Sequence, residues 1–155
     1  MFKLTQCYLL MIIEARNFNE LSLEDLYKIL QLRSQVFVVE QDCVYQDLDG
    51  KDDKALHLLG FKNEELVAYT RCFKPGDYFD KASIGRVIVK ENFRKYGYGH
   101  EIMKASIKEI EDRFKAASIK LSAQQYLTAF YESHGFQQTG EPYLEDGIPH
   151  IAMIK

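Results

Sequence analysis

Short apolar runs rich in β-branched residues recur along the chain between clusters of turn residues, a pattern that predicts β-strands. Longer segments carry apolar residues at every third or fourth position, which predicts amphipathic helices. The predicted strands span residues 11–17, 55–62, 66–73, 83–90, 119–123, 136–139 and 150–154, and the predicted helices span residues 22–37, a segment ending near residue 114, and residues 127–134. This order predicts a single α/β domain over residues 1–155, with a mixed sheet and helices on both faces.

The first predicted helix has a start signal and a continuous apolar stripe. Ser22 and Asp25 have the spacing of a capping box, with Ser22 as the N-cap residue. The stripe consists of Leu23, Leu26, Ile29, Leu30, Leu32, Val36 and Phe37. A stripe of this width needs a sheet or another helix to cover it.

A turn containing two glycines joins a β-branched strand to the helix that ends near residue 114. Gly97 and Gly99 remove the side chains that would keep a ligand away from the backbone N–H groups at the helix start. Arg94 and Lys95 add positive charge beside these groups. The partial positive charge of a helix N-terminus also favours an anion, so the turn predicts a site for a phosphate-bearing ligand.

Two other glycine-rich phosphate motifs do not fit this turn. A dinucleotide motif of the form G-x-G-x-x-G would need a third glycine at the position of Ile102. A P-loop would need Lys and then Ser or Thr after its last glycine, whereas His100 and Glu101 follow Gly99. An ordinary strand–helix turn, in which the glycines only permit close packing, stays open as an alternative.

The composition is that of a folded globular protein, because 46% of the 155 residues are hydrophobic and 28% are charged. The formal net charge of −3 argues against nucleic acid as the main ligand, since phosphate neutralisation needs a basic face. The cysteines, Cys7, Cys43 and Cys72, are odd in number and widely spaced. This usage indicates reduced thiols and a cytoplasmic location.

The N-terminal apolar run, residues 8–13, is shorter than the ~20 residues that a bilayer-spanning helix needs. It continues into Glu14 and Arg16 without a small-residue cleavage site, which argues against a signal peptide. We interpret it as the start of the first strand, preceded by an extension at residues 1–10. No membrane partner is therefore expected.

An acidic loop at residues 47–53 raises the question of a calcium site. An EF-hand loop places glycine sixth and a bidentate Glu twelfth, but counting from Asp47, Gly50 is fourth and Leu58 is twelfth. No metal is therefore expected. A solvated turn is one interpretation of the loop, and carboxylates that border a cleft and attract a cationic amine are another.

Two blocks in the second half resemble the GNAT superfamily of N-acetyltransferases. The first is the R-x-x-G-x-G turn at residues 94–99, and the second is Ala-Phe-Tyr-Glu-Ser-His-Gly-Phe at residues 129–136, one strand later. Further stretches that resemble the ElaA-like branch lie at residues 30–33, 36–41, 45–50 and 145–151. The resemblance extends from about residue 11 to residue 155 and implies the GNAT-like acyl-CoA N-acyltransferase fold.

The resemblance also implies a co-substrate, acetyl-CoA, held between the central strand and the strand at residues 119–123. The residues implied in acetyl-CoA binding are Val87, Ile88, Val89, Arg94, Lys95, Tyr96, Gly97, Tyr98, Gly99 and His100. Backbone groups at residues 87–89 would bind the pantetheine arm like an added strand. The turn and the N–H of His100 would bind the pyrophosphate, and one N–H near Val87 or Ile88 would hold the oxyanion.

Catalytic roles follow from the same resemblance and from residue chemistry. Tyr131 matches the family's general-acid position, where a phenol protonates the leaving thiolate. The general base has several alternatives, namely Glu40, His57, Asp47, Asp49 and His150. Histidine titrates nearest neutral pH, and a carboxylate acting through water is equally open. Cys72 is not expected to act as a nucleophile, because direct transfer needs no covalent intermediate.

The implied function is acetyl-CoA-dependent transfer of an acetyl group to a primary amine, carried by a small molecule or a peptide. Two alternatives remain, an acyl-CoA-binding sensor without turnover and a nucleotide-binding protein without acyl chemistry. An apolar edge on the last strand would allow a homodimer.

Overall fold

The computed structural model describes residues 10–155, so residues 1–9, including Cys7 and most of the predicted extension, lie outside the described part of the chain. Seven strands form one sheet in the order β1-β2-β3-β4-β5-β7-β6. The strands are β1 (Ile12–Asn17), β2 (Leu56–Lys62), β3 (Glu65–Phe73), β4 (Ala82–Val89), β5 (Ile119–Gln124), β6 (Gln137–Glu145) and β7 (Ile148–Ile154). The α-helices are α1 (Leu23–Arg33), α2 (Tyr98–Phe114) and α3 (Thr128–Glu132).

The sheet is mixed, as the order of elements predicted. Strands β1 to β4 are successively antiparallel, β4 and β5 are parallel, and β7 is antiparallel to both β5 and β6. A parallel pair needs a crossover connection, and α2 supplies the helix in the connection from β4 to β5.

Helices cover both faces of the sheet and bury two apolar clusters. On one face, Ile102, Met103 and Ile110 of α2 pack with side chains from six strands, and Tyr131 of α3 joins them. On the other face, Ile29 and Leu32 of α1 pack against side chains that include Tyr69 and Ile88. These contacts confirm the predicted fold class, because each helix buries the apolar stripe that its sequence carries.

The first helix differs from its prediction at the C-terminal end. Ser22 caps α1 as predicted, since its hydroxyl accepts a 3.0 Å hydrogen bond from the backbone N–H of Asp25. The α-helix ends at Arg33, however, and Ser34–Glu40 continue as a π-helical segment. Such segments are rare and often lie at functional sites. Here the segment brings Val36, Phe37 and Glu40 to the central cleft.

The largest difference from the predicted strands is β6. The prediction of a strand at residues 136–139 was too short, because β6 continues to Glu145, with an irregularity between Thr139 and Tyr143. This strand lies at the edge of the sheet and is largely exposed, so it has no apolar alternation to reveal it.

The same arrangement corrects the expectation for the last strand. Strand β7 lies inside the sheet between β5 and β6, so it offers no free edge for pairing. The premise of the homodimer prediction was therefore wrong, while the homodimer itself stays a prediction.

Candidate active site

The parallel strands β4 and β5 pair only at their N-terminal ends, through Ala82–Ile119 and Ser83–Lys120. Beyond these pairs the strands separate and open a cleft of about 1040 Å³. The separation agrees with the gap that the resemblance implied between these strands. Backbone groups of β4 that face a gap lack the ladder partners of a continuous sheet, so they are available to a ligand.

A β-bulge in β4 lies where the cleft begins. Tyr69 pairs with Ile88 and Arg71 pairs with Gly85, so Arg86 and Val87 together oppose one residue of β3. Arg86 has φ of 51°, a left-handed conformation that is uncommon for residues other than glycine. Its side chain is anchored to Asp47 by hydrogen bonds of 2.6 Å to the carboxylate and 2.9 Å to the carbonyl. A bulge changes the local direction of the backbone, and residues 86–88 line the cleft.

The glycine turn forms the other end of the cleft. Gly97 has φ of 77°, which favours glycine, and α2 begins at the next residue. A Cβ atom at Gly99 would lie 3.5 Å from the Phe130 ring, so the cleft is narrow here. The first N–H groups of a helix lack intrahelical acceptors, which makes this end suited to an anion. The N–H of His100 already donates to Gly97 O at 3.1 Å and is less available than predicted.

Arg94 is held in place beside the turn by two partners. Its Nε donates to the carbonyl oxygen of Val89 at 2.9 Å, and its two terminal nitrogens donate to the carboxylate of Glu40. The hydrogen bonds that Arg94 donates to the Glu40 carboxylate are the main cause of the raised pKa of Arg94. The ion pair occupies the Glu40 carboxylate, which sequence reasoning considered as a general base.

The structure brings most of the predicted binding residues to one cleft and leaves three outside it. The lining residues among them are Val87, Ile88, Val89, Arg94, Gly97, Gly99 and His100. Tyr98 instead packs in the core at 6% exposure. Lys95 and Tyr96 lie outside the cleft and contact each other, with Lys95 Nζ 5.3 Å from the centre of the Tyr96 ring.

Tyr131 lines the cleft from α3 and is 6% exposed. Burial raises the pKa of its phenol, which keeps the hydroxyl protonated at neutral pH. Phe130 and Phe136 pack against the ring at an edge-on angle, with centroid separations of 5.1 and 6.3 Å. These contacts hold the Tyr131 ring in place.

His57 lies away from the cleft, in the interior of β2. It is 0% exposed, and both ring nitrogens are hydrogen-bonded, Nδ1 to the Tyr69 hydroxyl at 2.7 Å and Nε2 to the Asp52 carbonyl at 2.9 Å. Burial lowers the pKa of this imidazole. Through these contacts His57 links β2, β3 and the acidic loop. It does not line the cleft in which an acceptor amine would bind.

The acidic loop is neither the solvated turn nor the amine-attracting edge that its sequence suggested. Three of its four aspartates, Asp47, Asp49 and Asp52, form ion pairs with three arginines, Arg33, Arg71 and Arg86. The arginines come from α1, β3 and β4, so only the folded chain brings them to the loop.

This network also removes two of the sequence-based alternatives for the base. The Asp47 carboxylate is nearly buried and held by two arginines, at 2.7 and 2.6 Å. Asp49 reaches the cleft, but Arg71 holds its carboxylate. Burial alone would raise the pKa of Asp49, yet the hydrogen bonds and charge of Arg71 outweigh burial and lower it to about 2. A carboxylate with so low a pKa is a weak proton acceptor.

His150 on β7 is the one histidine of the alternatives that lines the cleft in the described structure. Its Nδ1 lies 2.7 Å from the carbonyl oxygen of Ile148, and a carbonyl can only accept, so Nδ1 carries the proton. In the neutral ring, Nε2 then carries a lone pair. Nε2 lies 3.7 Å from the carboxylate of Glu145. The pair can therefore accept a proton on Nε2 and balance the resulting charge.

Two further side chains complete this polar group. The Ser122 hydroxyl donates to Glu145 at 2.8 Å and is hydrogen-bonded to the Tyr143 hydroxyl. The Tyr143 ring stacks on His150, with 6.2 Å between ring centres. Sequence reasoning missed Ser122, Tyr143 and Glu145 because they lie on β5 and β6, and only the sheet register brings them together.

Residues 10–155 contain no cluster of three or more His, Cys, Asp or Glu side chains placed to hold a metal ion. The helices of that part of the chain are all too short or too polar to cross a bilayer.

Comparison with known proteins shows the family and the fold to which this cleft belongs. Residues 19–155 match the family model described as "Acetyltransferase (GNAT) domain", and the chain belongs to this family. Within the family it is similar to Protein ElaA of Escherichia coli K12, with 46% identity over 139 residues that cover 88% of this chain and 91% of that protein.

Solved structures give the same relationship. The crystal structure of Escherichia coli ElaA superposes with a TM-score of 0.88 at 43% identity, covering 94% of this chain and 99% of the other. An acyl-CoA N-acyltransferase from Pseudomonas aeruginosa gives a TM-score of 0.87 at 38% identity, with the same two coverages. The predicted family and the predicted fold are confirmed.

Proposed function

We propose that this protein transfers an acetyl group from acetyl-CoA directly to a primary amine. The observation that carries the proposal is one continuous cleft, which is lined by the start of α2, the separated part of β4, Tyr131 and His150. A helix start binds anions, an unpaired strand binds an amide-containing arm, and the two side chains supply acid and base. The similarity to a solved acyl-CoA N-acyltransferase supports the acyl donor.

In this proposal the pyrophosphate of CoA lies against the turn at Gly97 and Gly99. Arg94 adds charge there while it retains its bond to Val89 O. The pantetheine arm occupies the gap between β4 and β5 and pairs with the backbone of residues 87–89. The thioester then lies beside the bulge at Arg86, where a re-aimed backbone N–H polarises its carbonyl.

The reaction forms one bond and breaks another. The neutral amine attacks the thioester carbon, forming the C–N bond, and the carbonyl oxygen becomes an oxyanion held by the backbone N–H at the bulge. Nε2 of His150 accepts the proton that the amine nitrogen loses, and Glu145 balances the imidazolium. The C–S bond then breaks, and Tyr131 donates its proton to the leaving sulfur.

Calorimetry with acetyl-CoA tests the cofactor site. Gly99→Glu places a carboxylate at the turn, and Gly99→Gln is the matched neutral control. Gly99 is not at positive φ and its Cβ direction meets only ordinary contacts, so both variants are expected to fold. We expect tight binding to the unaltered protein, at least tenfold weaker binding to Gly99→Glu, and a smaller loss in Gly99→Gln. Equal losses in both would argue against a pyrophosphate at this turn.

A sensor that binds acyl-CoA without turnover is the alternative. It shares the cofactor site, so turnover alone distinguishes it. Release of free CoA thiol is measured with acetyl-CoA and a panel of primary amines that includes small molecules and lysine peptides. Binding without thiol release across the panel would favour the sensor. A cytoplasmic location accords with Cys43 and Cys72, both of which are free thiols.

A further inference from the structure

Gly85 in β4 has no structural reason to be glycine. Its φ is not positive, and a Cβ atom built on it would meet nothing within 4 Å. Glycine inside a strand is destabilising and often marks the close approach of a ligand. Gly85 lines the cleft, so its missing side chain leaves space on the cleft floor.

Two buried polar atoms beside this space lack a partner. Arg71 is 1% exposed and Ser83 is 2% exposed, and both line the cleft. Within residues 10–155, neither Nε of Arg71 nor Oγ of Ser83 has a hydrogen-bond partner. A buried donor without a partner is destabilising, because it has lost its hydrogen bond to water. Both groups can donate a hydrogen bond, so they suit an oxygen atom of a ligand.

The charge at this end of the cleft also favours an oxygen anion. Arg71 belongs to the network in which three arginines balance three aspartates, so the network itself is neutral. Lys51 lines the cleft in addition, with its Nζ 4.4 Å from the centre of the Tyr78 ring. The aromatic side chains of Phe73, Tyr78 and Phe79 form the wall above this floor.

The opposite end of the acceptor region has the reverse character. Glu145, Asp146 and His150 line it, and Glu145 and Asp146 carry negative charge. His150 pairs with Gln124 of β5. Gln124 lies four residues beyond Lys120, the last residue of β5 that pairs with β4, so Gln124 is level with the region around Val87. The amine-facing end is therefore offset from the Gly85 floor by about two residues, or about 7 Å, along the strand direction, and the width of the cleft adds to this distance.

From this polarity we infer that the acceptor is a primary amine that also bears a carboxylate, which lies over Gly85 and accepts hydrogen bonds from Arg71 Nε and the Ser83 hydroxyl. Lys51 supplies the balancing charge, and the aromatic wall packs on the part of the acceptor between its two ends. This inference rests on the proposed transfer reaction and names the acceptor class for the same cleft.

The test is binding of matched amines to protein saturated with CoA, which lacks the acetyl group and so permits no reaction. The pairs are 4-(aminomethyl)benzoate with 4-methylbenzylamine, and 4-aminobutyrate with butylamine. Each pair shares its amine and apolar part and differs in the carboxylate. Affinities are measured by ligand-observed NMR and calorimetry. In at least one pair we expect the carboxylate member to bind at least tenfold more tightly.

Three variants connect that preference to the site. Gly85→Val fills the floor and should abolish the preference, while the favourable strand propensity of valine preserves or raises Tm. Gly85→Ala is the smaller control and should retain most of it. Lys51→Met should weaken carboxylate binding several-fold, whereas Lys54→Met, at a neighbouring lysine outside the cleft lining, should not.

Two results would overturn the inference. One is that neither carboxylate binds better than its paired amine, including the case in which nothing binds CoA-saturated protein. The other is a preference that persists unchanged in Gly85→Val. The same titrations are run without CoA. Failure to bind CoA would refute the proposed function. The carboxylate site would still be decided by whether the preference for the carboxylate-bearing amine, measured without CoA, is lost in Gly85→Val.

Discussion

Arg94 and Glu40 form a two-pronged ion pair that connects the anion-binding turn to the end of the π-helical segment. The same guanidinium faces the cleft in which we place the pyrophosphate of CoA. Glu40 therefore holds Arg94 in position and at the same time competes with the phosphate for it. From this relationship we expect Glu40 to affect cofactor affinity rather than proton transfer.

We predict that Glu40→Gln strengthens acetyl-CoA binding. Removing the carboxylate frees the positive charge of Arg94, and partly exposed ion pairs contribute about 0–1 kcal/mol, so the gain should be at most about fivefold. Calorimetry measures it, with Arg94→Gln expected to weaken binding. A tenfold or greater loss of kcat in Glu40→Gln, with acetyl-CoA affinity retained, would instead return Glu40 to the role of base.

Tyr131→Phe should lower kcat by about 10²-fold or more, because the leaving thiolate loses its proton donor. Acetyl-CoA affinity should change little, since phenylalanine keeps the packing against Phe130 and Phe136. Thiol release in stopped assays measures kcat, and calorimetry measures the affinity for acetyl-CoA. Tyr126→Phe, at another tyrosine of the cleft lining, serves as the control. An unchanged kcat in Tyr131→Phe would remove the phenol from the mechanism.

The two histidines proposed from sequence should respond oppositely to substitution. His150→Gln should lower kcat/KM by about 10²-fold, because Nε2 is lost as the proton acceptor. His57→Gln should lower Tm, because it disturbs the bonds to Tyr69 and Asp52, and leave kcat/KM near its original value. If His57→Gln alone abolished the rate, the assignment of roles would be reversed.

The arginine–aspartate network should make the fold sensitive to acid. The pKa of Asp49 is about 2 in the folded protein against 3.8 for the free side chain, so the unfolded state binds more protons between these values. Stability from this group is complete above pH ~4 and is lost as the pH falls toward 2, by about 2 kcal/mol. Urea unfolding from pH 6 to 2 measures it.

Asp49→Asn is the matched variant for that titration. It should be less stable than the unaltered protein at neutral pH, and its stability should fall less steeply below pH 4. Parallel stability curves for the two proteins would show that Arg71 does not hold the Asp49 carboxylate in the ionised form.

Local signals carried much of the fold prediction. Ser22 marked the first turn of α1, and the two-residue turn at Asn63 and Glu64 joins β2 and β3 between the strands predicted at residues 55–62 and 66–73. The cap and the turn both depend on residues that are neighbours in sequence. By contrast, β6 was underestimated because an exposed edge strand needs no apolar alternation, and the π-helical end of α1 was not foreseen.

The residues of the cleft show the same division between those that a local motif predicts and those that it does not. Gly97, Gly99 and Tyr131 belong to continuous motifs whose chemistry can be read locally. Gly85 and the polar group around His150 carry no local motif, because their significance depends on which strands lie beside them. The acidic loop showed the limit most clearly, since Asp47 was interpreted as solvated or cleft-facing and is in fact nearly buried between two arginines.

The sequence by itself determined the fold family, the order of the elements and the glycine turn before α2, because periodicity, capping and glycine placement act over a few residues. Only the tertiary structure decided which histidine faces the cleft, which acidic groups are neutralised and where the floor is open. Those outcomes depend on contacts between residues as far apart as Arg33 and Asp47, or Ser122 and Glu145, whose side chains meet only once the sheet has formed.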